Sequence, residues 1–257
     1  MSIYQHFRPE EKEFIDGAAS WIQQVKNSYA PKLTDFLDPR QQQIVLSLLG
    51  RDEDVHLQFY GGADTVERRR ALLFPDYFSP ELSDFQLSLY EISYPKKFIT
   101  LEHRHVLGTL MSLGLKREKF GDILIKDDEV QFIAAEEIDT YLMANLEKVG
   151  KATVTIKKRP FSHIIQVDEN WVEHYLTVSS LRLDTVLATA LNISRQKAQA
   201  LIVAGKVKLN FKQTEKTSEE CQVGDVISVR GFGRCKIISI DGKTKKDKWK
   251  VLIGKKK

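Results

Sequence analysis

Arg195 and Lys197 follow Ser194 by one and three residues, where Ala198, Leu201 and Ile202 begin to repeat with helical spacing. Ser194 is a good N-cap for that helix. Cations in a first turn oppose the helix dipole by about 0.3–1 kcal/mol each. The exposed backbone N–H groups there already form an anion site. Arg182 stands at the mouth of a preceding helix, in which Leu183, Val186, Leu187 and Ala190 make one apolar stripe. Gly205 ends the second helix. Beyond it, Lys206 and Lys208 alternate with Val207 and Leu209 as a strand, and Gly224-Asp225 turns into another, Val226 to Val229. Any one of these charges alone reads equally well as solvated surface. Collected at two adjacent helix starts and on the next strand, they make sense with a phosphate between them. That chemistry is electrostatic positioning of a nucleic-acid backbone and involves no covalent step.

Other candidates are weaker. Gly61 and Gly62, in GGADTVERRR, suggest a phosphate loop, but no GxxxxGK[ST] follows. Asp64-x-x-Glu67 reads as the capping box of a helix carrying Arg68, Arg69 and Arg70. At least one or two of those arginines are expected at the surface, as a solvated face or as a secondary RNA contact. Lys157, Lys158 and Arg159 offer the same at the edge of a sheet. His103 and His105, two apart in a helical segment, diverge by roughly 200° and share no metal there. Cys221 and Cys235 form no CxxC pair and are expected as reduced thiols. No metal, no cofactor, no small-molecule substrate and no nucleophile–base pair is expected.

The net charge of +4 hides an asymmetry. From Ser179 onward, 18 Lys+Arg face 7 Asp+Glu, a net +11; the preceding 178 residues carry 21 against 28, a net −7. A basic module on an acidic body is the footprint of a nucleic-acid binder. A hydrophobic content of 42% is that of a globular protein. Neither a secretion signal nor a run of about 18 apolar residues is present, so membrane insertion is not expected.

The elements that must position these residues divide into three small domains of an α+β chain. Residues 1–82 read as an N-terminal α/β domain: a helix over 9–29 opened by Pro9, Glu10, Glu11 and Glu13, a second from Pro39 to Gly50, and a strand at Val55, Leu57 and Phe59. Residues 83–160 give the order βαββαβ, a ferredoxin-like arrangement. Its strands begin at Phe85, Phe120, Val130 and Ala152; its helices are one capped by Thr100 and one from Glu136 to Val149. Its VQFIAAEE strand lacks the stacking aromatics of an RNA-reading sheet. Residues 161–179 are expected as a linker whose Trp171, Tyr175 and Val178 pack. Residues 180–257 hold the basic module, in which Asp241-Gly242 reads as a hairpin turn. The lysines of the tail extend its phosphate-contacting face.

RLDxxLA, SRxxAxxLIxxGxVxxN and GDxIxV, over about 50 residues, resemble the αL RNA-binding motif of the S-four domain. The resemblance implies that Arg182, Ser194, Arg195, Lys197, Lys206, Lys208 and Asn210, with Lys212, contact structured RNA. It also implies that Asp184 ties the first helix to a nearby basic group. Phe211 stands where many members have Gly. The three-domain order, the GG…ERRR…FP stretch from Gly61 to Pro75 and the middle domain together resemble the YlmH family of Gram-positive bacteria, over essentially the whole chain. That resemblance implies a cytoplasmic, non-enzymatic RNA-binding protein on the large ribosomal subunit, with rRNA and peptidyl-tRNA as partners. Ribosome-associated quality control and a link to cell division come with it; a monomer is expected besides. The alternatives are an RNA-modifying enzyme with an unrecognised site and a cell-division scaffold using its basic tail for protein or membrane contact. Arg195→Glu with Lys197→Glu is expected to abolish RNA binding with the fold intact.

Overall fold

The computed structural model describes residues 11–50, 52–167 and 171–256. The chain divides into two compact units, Met1–Val167 and Asp168–Lys257.

The first unit begins with α1 (Lys12–Ser28), β1 (Lys32–Leu37), α2 (Pro39–Leu49), β2 (His56–Tyr60) and β3 (Arg69–Phe74). The strands pair antiparallel in the order β1-β3-β2. Ile15, Ala18 and Val25 of α1 are buried, and Trp21 packs against the core cluster that holds Ala18 and Val25. Pro9 and Glu10, assigned to its start, lie outside the described residues. Asp38 caps α2 in a capping box with Gln41, and Pro39 follows at the first helical position.

Where a helix carrying the arginine triplet was expected, Arg68 leads into strand β3, which Arg69 and Arg70 open. Asp64 and Glu67 cap nothing. The Glu67 and Arg68 backbone N–H groups donate to the Asp122 carboxylate at 2.7 and 3.0 Å. A tertiary partner more than fifty residues away thus satisfies the donors that a helix start would have offered to its own side chain, and the backbone stays extended.

A second layer follows in the same unit: β4 (Leu87–Ser93), α3 (His103–Ser112), β5 (Phe120–Lys126), β6 (Glu129–Ala135), α4 (Asp139–Asn145), the two-residue strands β7 (Lys148–Val149) and β8 (Ala152–Thr153), and β9 (Thr155–Arg159). The main sheet has the antiparallel order β5-β6-β4-β9. That is the ferredoxin-like topology read from the sequence. Two details differ. The cap of α3 is Glu102, reciprocally bonded to His105, and not Thr100. The last helix is short: Gly150, at φ 59°, turns the β7–β8 hairpin where a longer helix was expected.

Of the expected linker 161–179, the first part packs on this unit and the last part is a strand. Gln131 clamps it, donating to the His163 carbonyl at 2.9 Å and accepting from the Ile165 N–H at 2.9 Å. Phe161, Ile164 and Ile165 rest against buried Leu89, Leu124 and Ile133.

The second unit contains β10 (Trp171–Val178), α5 (Leu183–Leu191), α6 (Arg195–Val203), β11 (Val207–Leu209), β12 (Lys212–Gln213), β13 (Val226–Val229), β14 (Gly233–Lys243) and β15 (Trp249–Lys256). The six strands run in the order β10-β15-β14-β13-β11-β12. Leu183, Val186, Leu187, Ala198 and Ile202 from the helices share one core with Val207, Ile227, Ile237 and Val251 from the sheet. Asn192, at φ 54°, ends α5 with a left-handed cap. Gly205 suits its place because its φ is 65°, in the left-handed region that favours glycine. Asp241 and Gly242 lie within β14 at a register shift, and the chain reverses over Thr244–Asp247. A bulge therefore occupies the expected turn. No described helix is long and apolar enough to cross a membrane.

Candidate nucleic-acid interface

The helix pair is organised by one carboxylate. Asp184, in the first turn of α5, is fully buried. Arg182 Nε and Nη2 donate to it at 3.1 and 3.2 Å. Arg195 Nε donates at 3.0 Å, Gln199 Nε2 at 2.7 Å and Thr185 Oγ1 at 3.2 Å. Burial alone would raise its pKa. The hydrogen bonds from Arg182, Gln199 and Arg195 outweigh that and hold the carboxyl well below the usual carboxylate range. The two arginine side chains stay 40% and 52% exposed. One carboxylate thus holds two guanidinium groups, which leaves a net charge of +1 and fixes both toward solvent. Fixing them in advance removes side-chain entropy that binding an anion would otherwise cost.

Ser194 caps α6 as expected, accepting the Lys197 N–H at 3.2 Å. Its hydroxyl belongs to the cap. Lys197 itself is exposed on the first turn, beside the half-exposed Arg195. Lys206 is exposed at the entry to β11, its backbone bonded to Leu201 and Arg230. Lys208 stands opposite Ser228, which stands opposite Arg234, so one row crosses three strands on the face away from Leu209, Ile227 and Cys235. Lys212 pairs with Leu209 across the β11–β12 hairpin and is half-buried.

Asn210 is tied into the fold of the module. Its Nδ2 donates to Asp225 Oδ1 at 2.7 Å, and its Oδ1 accepts the Val226 N–H at 2.9 Å. It locks the hairpin tip to the turn before β13. Gln199, Arg234 and Lys236 were overlooked. The spacing of two between Arg234 and Lys236 signals a shared strand face, whereas Gln199 carried no signal because its partner lies fifteen residues back.

Most of the secondary basic residues are bonded within the first unit. Arg70 is 3% exposed and donates to the carbonyls of Thr34, Phe85 and Gln86 at 2.7, 3.2 and 3.1 Å. Arg68 donates to the carbonyls of Phe120 and Phe36 at 3.0 and 2.9 Å, and Arg69 to those of Val66 and Asp64 at 3.2 and 2.7 Å. Burial lowers the pKa of both Arg68 and Arg70. Alternation along an extended backbone places Arg68 and Arg70 on one side, toward the second layer of the unit; a helix would have splayed them. Lys158 is paired with Asp139 and Glu136, and Arg159 with Glu91 at 2.8 Å; Lys157 is exposed.

A prediction separates the two roles of arginine. Arg70→Met strands two buried carbonyl acceptors and one partly buried one, at about 1–3 kcal/mol for each buried group, in part offset by the apolar side chain. Urea unfolding of the first unit is expected to lose roughly 3 kcal/mol, while RNA affinity stays at the wild-type value. Lost affinity with unchanged stability would restore the RNA-contact reading of the triplet.

Reactive groups have structural surroundings. Burial pushes the Cys221 thiol up to about 12 and the Cys235 thiol to about 11. His105 Nδ1 accepts from the Glu102 N–H in the helix cap. Among the described residues, no group of three or more His, Cys, Asp or Glu side chains could hold a metal ion.

Comparison with known proteins adds the family context. A family model described as "YlmH, N-terminal" matches residues 10–78, one described as "Putative RNA-binding domain in YlmH" matches residues 80–163, and the S4 domain matches residues 181–227. The chain is similar to "Ribosome-associated protein quality control protein P2" of Bacillus subtilis (strain 168), with 48% identity over 257 residues and 99% of each chain covered. It is also similar to a solved structure, "Cell division protein ylmH from Streptococcus pneumoniae". That match has a TM-score of 0.55 at 38% identity over 64% of this chain and 100% of that one.

Proposed function

The chain belongs to the YlmH family, and from that membership we propose that it is a cytoplasmic, non-enzymatic RNA-binding protein that docks as a monomer on the large ribosomal subunit. There it touches rRNA and peptidyl-tRNA together, in quality control of stalled nascent chains. The observation that carries this reading is the pair of half-exposed arginines held by buried Asp184, with exposed Lys197 on the adjacent turn. Such a cluster binds backbone phosphates in a fixed geometry. The Bacillus subtilis relative's name supplies the ribosomal and quality-control context. A clamp on two RNA backbones biases tRNA position without making or breaking a bond.

The test is co-sedimentation of the full chain with separated ribosomal subunits. The protein is expected to pellet with the large subunit at low salt and to leave it as salt rises. Recovery in the supernatant of both subunits at every salt concentration, or pelleting with the small subunit alone, would contradict the reading. The Streptococcus pneumoniae structure bears a cell-division name, which favours one second reading: a division scaffold. Septal localisation that survives nuclease treatment is the result that reading requires.

A further inference from the structure

The β11–β12 hairpin is closed by a two-residue loop, Leu209 pairing with Lys212 around Asn210 and Phe211. Both loop residues have positive φ, 50° and 66°. That is the type I′ geometry, which favours Asn at the first position and Gly at the second. Asn210 fits. Phe211 does not: a bulky side chain in the left-handed region is a strained outlier. The strain is imposed from outside the loop, because the Asn210 backbone N–H donates to the Val226 carbonyl and its side chain bonds both Val226 and Asp225. Strained residues held by an over-determined frame are found where function needs them.

The ring itself has a cationic neighbour. The Arg234 guanidinium carbon lies 5.5 Å from the Phe211 centroid, within cation–π range. Arg234 belongs to the row formed with Lys208 and Ser228. An aromatic ring with a guanidinium beside it, set among backbone-binding cations, is the combination on which single-stranded bases stack.

We propose that Phe211 and Arg234 form a stacking platform for an unpaired RNA base, at the tip of a hairpin whose lysines hold the backbone. The proposal rests on the RNA-binding reading and adds to it a preference: unpaired loops over continuous duplex.

The test uses the full chain with two fluorescein-labelled RNAs, a stem closed by a single-stranded adenine loop and a fully paired duplex of equal length. Wild type is expected to bind the stem–loop more tightly. Phe211→Gly relieves the strained φ, so its thermal unfolding midpoint should not fall. It should nevertheless lose about 5- to 150-fold in stem–loop affinity, the range of one stacked base. Phe211→Leu, which keeps an apolar side chain and removes the ring, should lose affinity likewise, and Phe211→Trp should retain it. Because stacking releases no counterions, the salt slope of log K should be the same in all four proteins. If Phe211→Gly and Phe211→Leu bind the stem–loop as wild type does, while Lys197→Ala with Lys208→Ala weakens binding, the platform is refuted and the phosphate reading stands. If wild type binds neither RNA, both are refuted.

Discussion

Asp184→Asn is expected to destabilise the second unit by about 2–3 kcal/mol at neutral pH. Breaking a buried ion pair by removing one partner typically costs about 3–5 kcal/mol. The lower figure applies because both guanidinium groups remain about half exposed and water screens them once the carboxylate is gone. Urea unfolding can report it through Trp171 and Trp249, two of the chain's three tryptophans, which both lie in this unit.

The same carboxylate predicts a pH dependence. Its pKa is lowered on folding by its arginine and glutamine donors, against the opposing effect of burial. A carboxyl of this kind stabilises the folded state above its unfolded pKa, about 4, and that contribution is lost as pH falls from there toward the folded pKa. Wild type should therefore lose stability below about pH 4 more steeply than Asp184→Asn, and the gap between them should narrow with acid. Parallel profiles would show that the carboxylate charge is not what holds the helix pair.

The second large effect concerns RNA. Replacing Lys197, Lys206 and Lys208 together by Ala is expected to weaken RNA binding by about 100-fold at moderate salt. The salt slope of log K should become shallower by roughly 2–3, at about 0.7–0.9 per phosphate contact removed. All three side chains are exposed, so the unfolding midpoint should hold. Arg195→Glu with Lys197→Glu, attractive from the motif alone, is a poorer probe. It would set a second carboxylate against buried Asp184, where Arg195 Nη2 now lies 3.0 Å away, and lost binding could then reflect a lost fold.

What the sequence made legible was local. The stripes of α5 and α6, the Ser194 cap, the Gly205 terminus and the βαββαβ order all depend on neighbours within a few residues, and all are present in the structure. The two-residue offset of Lys206 and Lys208 correctly marks a strand. The misreadings share one cause, a distant partner. The arginine triplet became a strand and an internal clamp because Asp122, Phe120 and Phe85 wait for it across the unit. The bond between Asn210 and Asp225 is hidden in the sequence for the same reason, since the two lie fifteen residues apart. Strand β10 was taken for a linker because its partner is at the far end of the unit, with Trp171 paired to Lys256. Val172 is exposed, and Tyr175, expected to pack, is exposed too, so the inside–outside alternation that marks a half-buried strand is confined to Leu176–Val178.

The central claim is that exposed cations of the second unit, set around an Asp184-anchored pair of arginines, bind RNA through its phosphates. The most direct measurement is the affinity of the full chain and of the Lys197→Ala, Lys206→Ala, Lys208→Ala variant for purified large-subunit rRNA over a salt series. The account predicts a steep negative slope of log K against log salt for wild type and a clearly shallower one for the variant. Equal slopes, or a wild-type affinity indifferent to salt, would contradict it.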